Sequence, residues 1–174
     1  MSADLAVRTA CPDELPRLLE IDGAASVLFE QAGVVVALAP DHPFVLDELA
    51  RWTAALERSE AWVVDDTSGL PQAFAVAGTV DGLPYLDQVS VHPAFMRRGL
   101  GARLIATVRA WAAARADALW LTTYDHLPFN RPYYERLGFE RAGPEGAELR
   151  AILDAQRDAL PFPERRVAMR LRLR

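Results

Sequence analysis

The stretch Val89-Ser90-Val91-His92-Pro93-Ala94-Phe95-Met96-Arg97-Arg98-Gly99-Leu100-Gly101-Ala102-Arg103-Leu104 reads as an apolar strand that passes through an arginine- and glycine-bearing turn into a helix. Gly99 and Gly101 carry no side chain, so consecutive backbone N–H groups can face one ligand while the positive end of the helix dipole adds to the attraction. A phosphate or pyrophosphate suits such a turn; the alternative for a helix-opening Gly-x-Gly is close packing. The phosphate loop of nucleoside triphosphatases requires Gly-Lys-Ser/Thr, whereas Gly101 is followed by Ala102-Arg103 and the chain has no lysine. The dinucleotide fingerprint requires a third glycine, and Leu104 stands at that position.

Outward from the turn, the patterns alternate between strand and helix. Residues 61–64, 72–80 and 85–91 read as strands, joined through Asp65-Asp66-Thr67-Ser68-Gly69 and Asp81-Gly82 into an antiparallel meander that feeds the turn. Upstream, residues 5–9 suit a short edge strand, and Pro12-Asp13-Glu14 opens a helix to about residue 25 in which Leu15, Leu18 and Leu19 recur at helical spacing. Residues 26–41 show no regular pattern. A second helix begins at Pro43 and reaches Glu57, with Leu46, Leu49, Thr53 and Leu56 along one face. Downstream of the turn, Leu104, Ile105, Val108, Trp111 and Ala112 form an apolar stripe, giving a helix to about residue 115 and then a buried strand over 119–123. That strand, helix, strand unit predicts a right-handed parallel crossover with the glycine turn at the carboxyl end of its first strand, where open sheets bind ligands. Gly138-Phe139 begins another strand, residues 145–158 read as a helix stopped by Pro161-Phe162-Pro163, and residues 167–173 alternate as a terminal strand.

Met96-Arg97-Arg98-Gly99-Leu100-Gly101 resembles the acetyl-CoA signature of the GNAT acetyltransferases, Arg/Gln-x-x-Gly-x-Gly/Ala. The first position departs from it: Met96 replaces a usually polar residue, which removes a side-chain contact and leaves the backbone amides unchanged. Tyr124-Asp125-His126-Leu127-Pro128-Phe129-Asn130-Arg131-Pro132-Tyr133-Tyr134-Glu135-Arg136-Leu137-Gly138-Phe139 resembles the family's later block, in which an asparagine precedes a short helix ending Tyr-Glu-x-Leu-Gly-Phe. Both blocks stand in the family's order. The resemblance implies an α/β (α+β) GNAT fold over residues 1–174 as one domain. Its mixed sheet is expected to have about six to seven strands, mostly antiparallel with a parallel pair at the acetyl-CoA site, flanked by helices.

The resemblance also implies roles. Acetyl-CoA is the expected acyl donor, its phosphates held at Arg97, Arg98, Gly99, Leu100, Gly101 and Ala102; the two arginines are otherwise solvated residues of a helix start. The N–H of Val89 or Val91 is implied to bind the thioester carbonyl. Asn130 is implied to bond the coenzyme arm, with a helix N-cap as its other reading. Tyr134 is implied to protonate the departing thiolate, against a core tyrosine of an amphipathic helix, and Tyr133 reads as packing. Asp87 is the positional candidate for the base that takes the amine proton, against a solvent-facing strand residue. The region 26–41 is implied to line the acceptor site, with Glu30 and Asp125 as further candidates for acceptor contacts. The expected reaction is transfer of acetyl to a primary amine, of a small molecule, by direct attack; the rival is a catalytically silent acyl-CoA-binding module.

Composition bounds these expectations. A hydrophobic fraction of 51% agrees with a packed globule, and a net charge of −5 argues against a general nucleic-acid binder. All 19 basic residues are arginines, which suits a GC-rich bacterial genome and excludes lysine Schiff-base chemistry. The single Cys11 cannot form an intrachain disulfide, so a cytoplasmic location is expected. The opening Met1-Ser2-Ala3-Asp4 has no apolar signal region, and no segment suits a membrane span. His42, His92 and His126 lack ligand spacing, so no metal is expected. A homodimer through the terminal strand is an open expectation.

Overall fold

The computed structural model describes residues 5–174, so Met1-Ser2-Ala3-Asp4 lies outside the described residues. Its strands are β1 (Val7–Thr9), β2 (Ala61–Asp65), β3 (Pro71–Val80), β4 (Leu83–Val91), β5 (Ala118–Tyr124), β6 (Glu140–Arg141) and β7 (Arg166–Arg172). Its helices are α1 (Leu15–Ala25), α2 (Val27–Gln31), α3 (Pro43–Glu57), α4 (Leu100–Ala113), α5 (Arg131–Arg136) and α6 (Ala147–Ala159). The strands form a 7-stranded sheet in the order β1-β2-β3-β4-β5-β7-β6, antiparallel except for the β4–β5 pair. Among the described residues no helix is long and apolar enough to cross a membrane.

Strand alternation sends side chains to two faces, and each face is covered by helices. On one, Leu104, Ile105, Val108 and Ala112 of α4 pack on Trp62, Val64, Ala73, Ala75 and Leu86. On the other, Leu18 and Ile21 of α1 and Trp52 and Leu56 of α3 pack on Ala61, Val63, Phe74 and Val76. Trp52 and Phe74 meet edge to face at 5.2 Å, a geometry favoured by the ring quadrupoles. Farther along that face, Leu149 and Leu153 of α6 cover Tyr85, Trp120 and Ala168. The helices α3 and α6 therefore lie side by side on this face and meet each other over the middle of the sheet.

The terminal strand is not the sheet edge. It lies between β5 and β6, and β6 pairs with its outer side at Met169 and Arg170. The strand expected to begin at Gly138-Phe139 is β6, which pairs over only two residues, Glu140 and Arg141.

Two irregularities of β4 shape the site. Val76 faces Gln88 while Ala77 faces Leu86, so Asp87 is an extra residue in a β-bulge. The bulge resets the alternation: Leu86, Val89 and Val91 all pack toward α4, whereas Gln88 and Ser90 reach Asp22 of α1 on the opposite face. Second, β4 pairs with β5 only at Tyr85–Trp120 among the described residues, so the two strands part beyond that point.

Candidate active site

The parted strands leave one edge of β4 open, and the hydrogen-bond alternation says which groups occupy it. Antiparallel partners alternate between bonded and non-bonded pairs. The N–H of His92 donates to the Gln72 carbonyl at 2.8 Å, which makes Phe74–Ser90 and Val76–Gln88 bonded pairs in the same register. Val89 and Val91 therefore turn their N–H and C=O groups away from β3, toward the gap. These are the two residues expected to meet the thioester carbonyl.

The chain leaves β4 through a 3-10 turn, Pro93–Phe95, capped by the His92 ring, which accepts from the Ala94 N–H at 3.2 Å. Arg97 (φ 62°) and Gly99 (φ 76°) then adopt left-handed conformations, unusual for the former and ordinary for the latter. The first bond into α4 runs from the Arg103 N–H to the Gly99 carbonyl at 3.1 Å. Among the described residues the amides of Arg97, Arg98, Gly99, Leu100, Gly101 and Ala102 donate to no protein acceptor, as the open start of a helix dictates. Left-handed and helical residues in succession form a nest whose N–H groups converge on an anion.

The two glycines serve different ends. At Gly99 a Cβ would meet nothing within 4 Å, so its requirement is conformational; at Gly101 a Cβ would lie 3.2 Å from the Tyr133 hydroxyl and 3.8 Å from Val91. Tyr133, read as packing, thus closes against the start of α4. Arg98 lies over the Phe95 ring at 4.8 Å. Arg97 and Arg98 are exposed and make no ion pair among the described residues, so both guanidinium groups remain available near the nest.

Asn130 occupies the N-cap position of α5, yet its side chain makes no capping bond, although the residue is buried to 7% exposure. The capping explanation for this asparagine is removed, and its amide stays free for a ligand. Asn130→Ala is therefore expected to weaken coenzyme binding by about tenfold, the worth of one or two hydrogen bonds, while leaving the melting temperature of the unliganded protein nearly unchanged. Calorimetry and a thermal melt together check this, and a large loss of stability with unaltered affinity would show a structural role.

Tyr134 packs edge to face with Phe139 at 5.7 Å and Tyr133 at 5.5 Å. Its hydroxyl bonds no protein group among the described residues. Burial, reinforced by Tyr133, raises its pKa well above the usual phenol range, so the hydroxyl keeps its proton at neutral pH. Nearby, the Tyr85 hydroxyl and Thr122 Oγ1 share a hydrogen bond of 2.9 Å at the point where β4 and β5 part, and burial pushes Tyr85 up to about 12.

Asp87 is not the free carboxylate expected from its position. The bulge turns it to α3, where Arg51 Nε donates to Oδ2 at 2.6 Å and Nη2 to Oδ1 at 3.3 Å, and the side chain is 7% exposed. Both carboxylate oxygens are thus occupied by Arg51. One turn before Arg51 on the same helix face stands Glu48, which forms no ion pair among the described residues. Burial first, then the charges of Asp22 and Asp87, push Glu48 up to about 7. Asp22 completes the acidic wall: it accepts from Ser90 Oγ and Gln88 Nε2, both at 2.8 Å, and burial raises its pKa. Neither Glu48 nor Asp22 carries a local sequence signal, because their importance comes from a helix docking over a strand.

The remaining candidates lie apart from this wall. Glu30 is exposed on α2, and its carboxylate has no partner among the described residues. Asp125 is 11% exposed and sits between Arg141 of β6 at 3.7 Å and Arg165, just before β7, at 3.6 Å, an ion-paired position that ties the end of β5 to both. The region 26–41 does approach the site: Phe29 and Val34 pack with Tyr124, Leu127 and Phe129 at the end of β5.

A model of the acetyltransferase (GNAT) family matches residues 26–139, well over half of the chain. The chain belongs to the GNAT acetyltransferase family. The same fold recurs in the PaiA N-acetyltransferase of Thermoplasma acidophilum, solved in complex with coenzyme A (TM-score 0.71, 11% identity, covering 97% of this chain and 99% of that one). It recurs in a Mycobacterium tuberculosis protein also solved with coenzyme A (TM-score 0.67, 16% identity, 96% and 98% covered). N-acetylglutamate synthase from Neisseria gonorrhoeae, complexed with coenzyme A and N-acetyl-glutamate, matches all of this chain over 36% of its own length (TM-score 0.65, 16% identity). At these identities the likeness is one of fold. For a GNAT acetyltransferase the mostly antiparallel sheet with a parallel β4–β5 pair is the shared frame, and acetyl transfer is the shared chemistry.

Proposed function

We propose that this GNAT protein transfers acetyl from acetyl-CoA to the primary amine of a small molecule by direct attack within a ternary complex. The observation that carries the reading is the run of unpartnered amides from Arg97 to Ala102, opening α4 beside the open edge of β4. These residues fit a coenzyme pyrophosphate: converging N–H groups, a helix N-terminus and two unpaired guanidinium groups attract it, and the free amide of Asn130 suits the coenzyme arm. When bound, acetyl-CoA supplies an activated acyl carbonyl.

The chain's own residues divide the rest of the work. Glu48 in its carboxylate form accepts a proton from the acceptor ammonium, directly or through water, with Asp87 and Arg51 fixing the wall around it. The N–H of Val89 or Val91 faces the carbonyl oxygen as negative charge gathers there. The acceptor nitrogen attacks the acyl carbon; as the carbon–sulfur bond breaks, Tyr134 gives its proton to the leaving sulfur, and the second proton of the acceptor nitrogen leaves as the amide forms and returns through water to the tyrosine oxygen.

Tyr134→Phe is expected to lower kcat about tenfold with coenzyme affinity nearly unchanged, because solvent replaces the lost donor only in part. A normal kcat would assign the donor elsewhere. The reading as a whole is tested by thiol release from acetyl-CoA across a panel of amines with the purified protein. Turnover with at least one amine supports it; coenzyme binding without turnover on any of them selects a silent acyl-CoA-binding module.

A further inference from the structure

Arg166, the first residue of β7, is a buried cation without an anion. It is 8% exposed, and among the described residues no carboxylate lies within ion-pair distance of it. Its Nη2 donates to Gln156 Oε1 of α6 at 2.8 Å and lies 3.5 Å from Thr122 Oγ1. The guanidinium rests over the Tyr124 ring at 4.6 Å. Nε is enclosed with no acceptor, and Nη1 donates to no protein group among the described residues while remaining accessible. An amide oxygen and a ring face compensate a buried guanidinium only partly, since removing a charge from water costs several kcal/mol unless it is paired.

Its place in the fold gives this cation a direction. Thr122 bonds Tyr85 at the parting of β4 and β5, so Arg166 stands beside the gap that holds the proposed reacting centre, on the α6 side. Across the gap, on the α3 side, stand Glu48 and the Arg51–Asp87 pair. Glu48 and Arg166 sense each other's charge without forming an ion pair. One wall of the gap is therefore anionic, and the other carries a lone cation with one unengaged nitrogen, Nη1, to offer an oxyanion.

We infer that the acceptor is an amino acid: its carboxylate binds Arg166 while its amine lies against the wall of Glu48 and Asp87. The inference rests on the proposed acetyl transfer to an amine. Amine and carboxylate on one small molecule match the two walls, and a site built to bond a carboxylate rejects the analogue that lacks it, because the buried guanidinium is then left unpaired.

Thiol release with phenylalanine, leucine and arginine is compared with that from phenethylamine, isoamylamine and agmatine, the amines left when each carboxylate is removed. For at least one pair, kcat/KM of the wild type is expected to favour the amino acid by about 100-fold or more. In Arg166→Gln this ratio is expected to collapse to within a few-fold, chiefly through KM, and Arg166→Lys to retain part of it. As a readout independent of turnover, the preferred free amino acid is expected to raise the melting temperature of the wild type and not of Arg166→Gln. Amines used as well as their amino acids by the wild type would overturn the inference while leaving acetyl transfer intact. An unchanged ratio in Arg166→Gln would overturn it too, and equal losses on both members of a pair would place Arg166 behind Tyr134 instead. If Arg166→Gln fails to fold, the wild-type ratio and Arg166→Lys still decide. Absence of thiol release with every compound would sink the underlying reading itself.

Discussion

Gly99→Trp is expected to remove measurable coenzyme A binding while the protein stays folded. The left-handed backbone at Gly99 (φ 76°) resists any side chain, at a cost of about 1–2 kcal/mol. That cost alone does not unfold a domain of ordinary stability, about 5–15 kcal/mol. A Cβ at this position meets nothing within 4 Å, so an indole there covers the open turn and does not invade the core. It thereby screens the amides of the nest from a pyrophosphate. Gly99→Ala carries the same strain with almost no bulk and is expected to keep most of the affinity. Calorimetric titration of the wild type and both variants checks the contrast, and Gly99→Trp with unaltered affinity would remove the turn from the site.

Glu48→Gln is expected to cut kcat/KM by about 100- to 1000-fold, the range for losing a positioned general base. The pH profile gives a sharper sign. Glu48 accepts a proton only when ionised, so kcat/KM of the wild type rises with pH through about 7 and levels above it, and the variant loses that limb. Stability moves the other way. A carboxyl whose folded pKa lies above the unfolded value of 4.5 contributes stability that is full below that value and lost as pH rises through about 7. The neutral glutamine avoids the loss, so the variant is expected to be more stable than the wild type by about 1–3 kcal/mol at mildly alkaline pH and equal to it in acid. Thermal melts across pH read this directly. A variant that is less stable in alkali would show that Glu48 is a structural ion-pair partner.

Most of the architecture was legible because its signals are local. The period-2 runs of β2, β3 and β4 and the stripe of Leu104, Ile105, Val108 and Ala112 on α4 specify their own structures, and the turn at Gly99 announces its conformation through the glycine itself. The coenzyme side of the candidate site inherits that legibility, since backbone amides at a helix start depend little on distant residues. The acceptor side does not. A one-residue bulge at Asp87 has no sequence mark, yet it turns Asp87 into the grip of Arg51 and sends Gln88 and Ser90 to Asp22. Glu48 and Arg51 read as ordinary polar positions of an amphipathic helix until α3 is laid over β4. Arg166 stands at the edge of the alternating pattern of Val167, Met169 and Leu171 and has no local mark of its own; its burial arises from α6 and the Tyr124 ring, brought together only by the closed sheet. Asn130 shows the converse case, where a local rule predicted a cap and the side chain declined it.

Amide chemical shifts recorded while coenzyme A is titrated into the labelled protein test most directly whether the main chain at the start of α4 holds the coenzyme. The amides of Arg97, Arg98, Gly99, Leu100, Gly101 and Ala102 are predicted to move most, as N–H groups without protein acceptors gain phosphate ones. Saturable binding that leaves these amides unmoved while resonances elsewhere shift would contradict that placement.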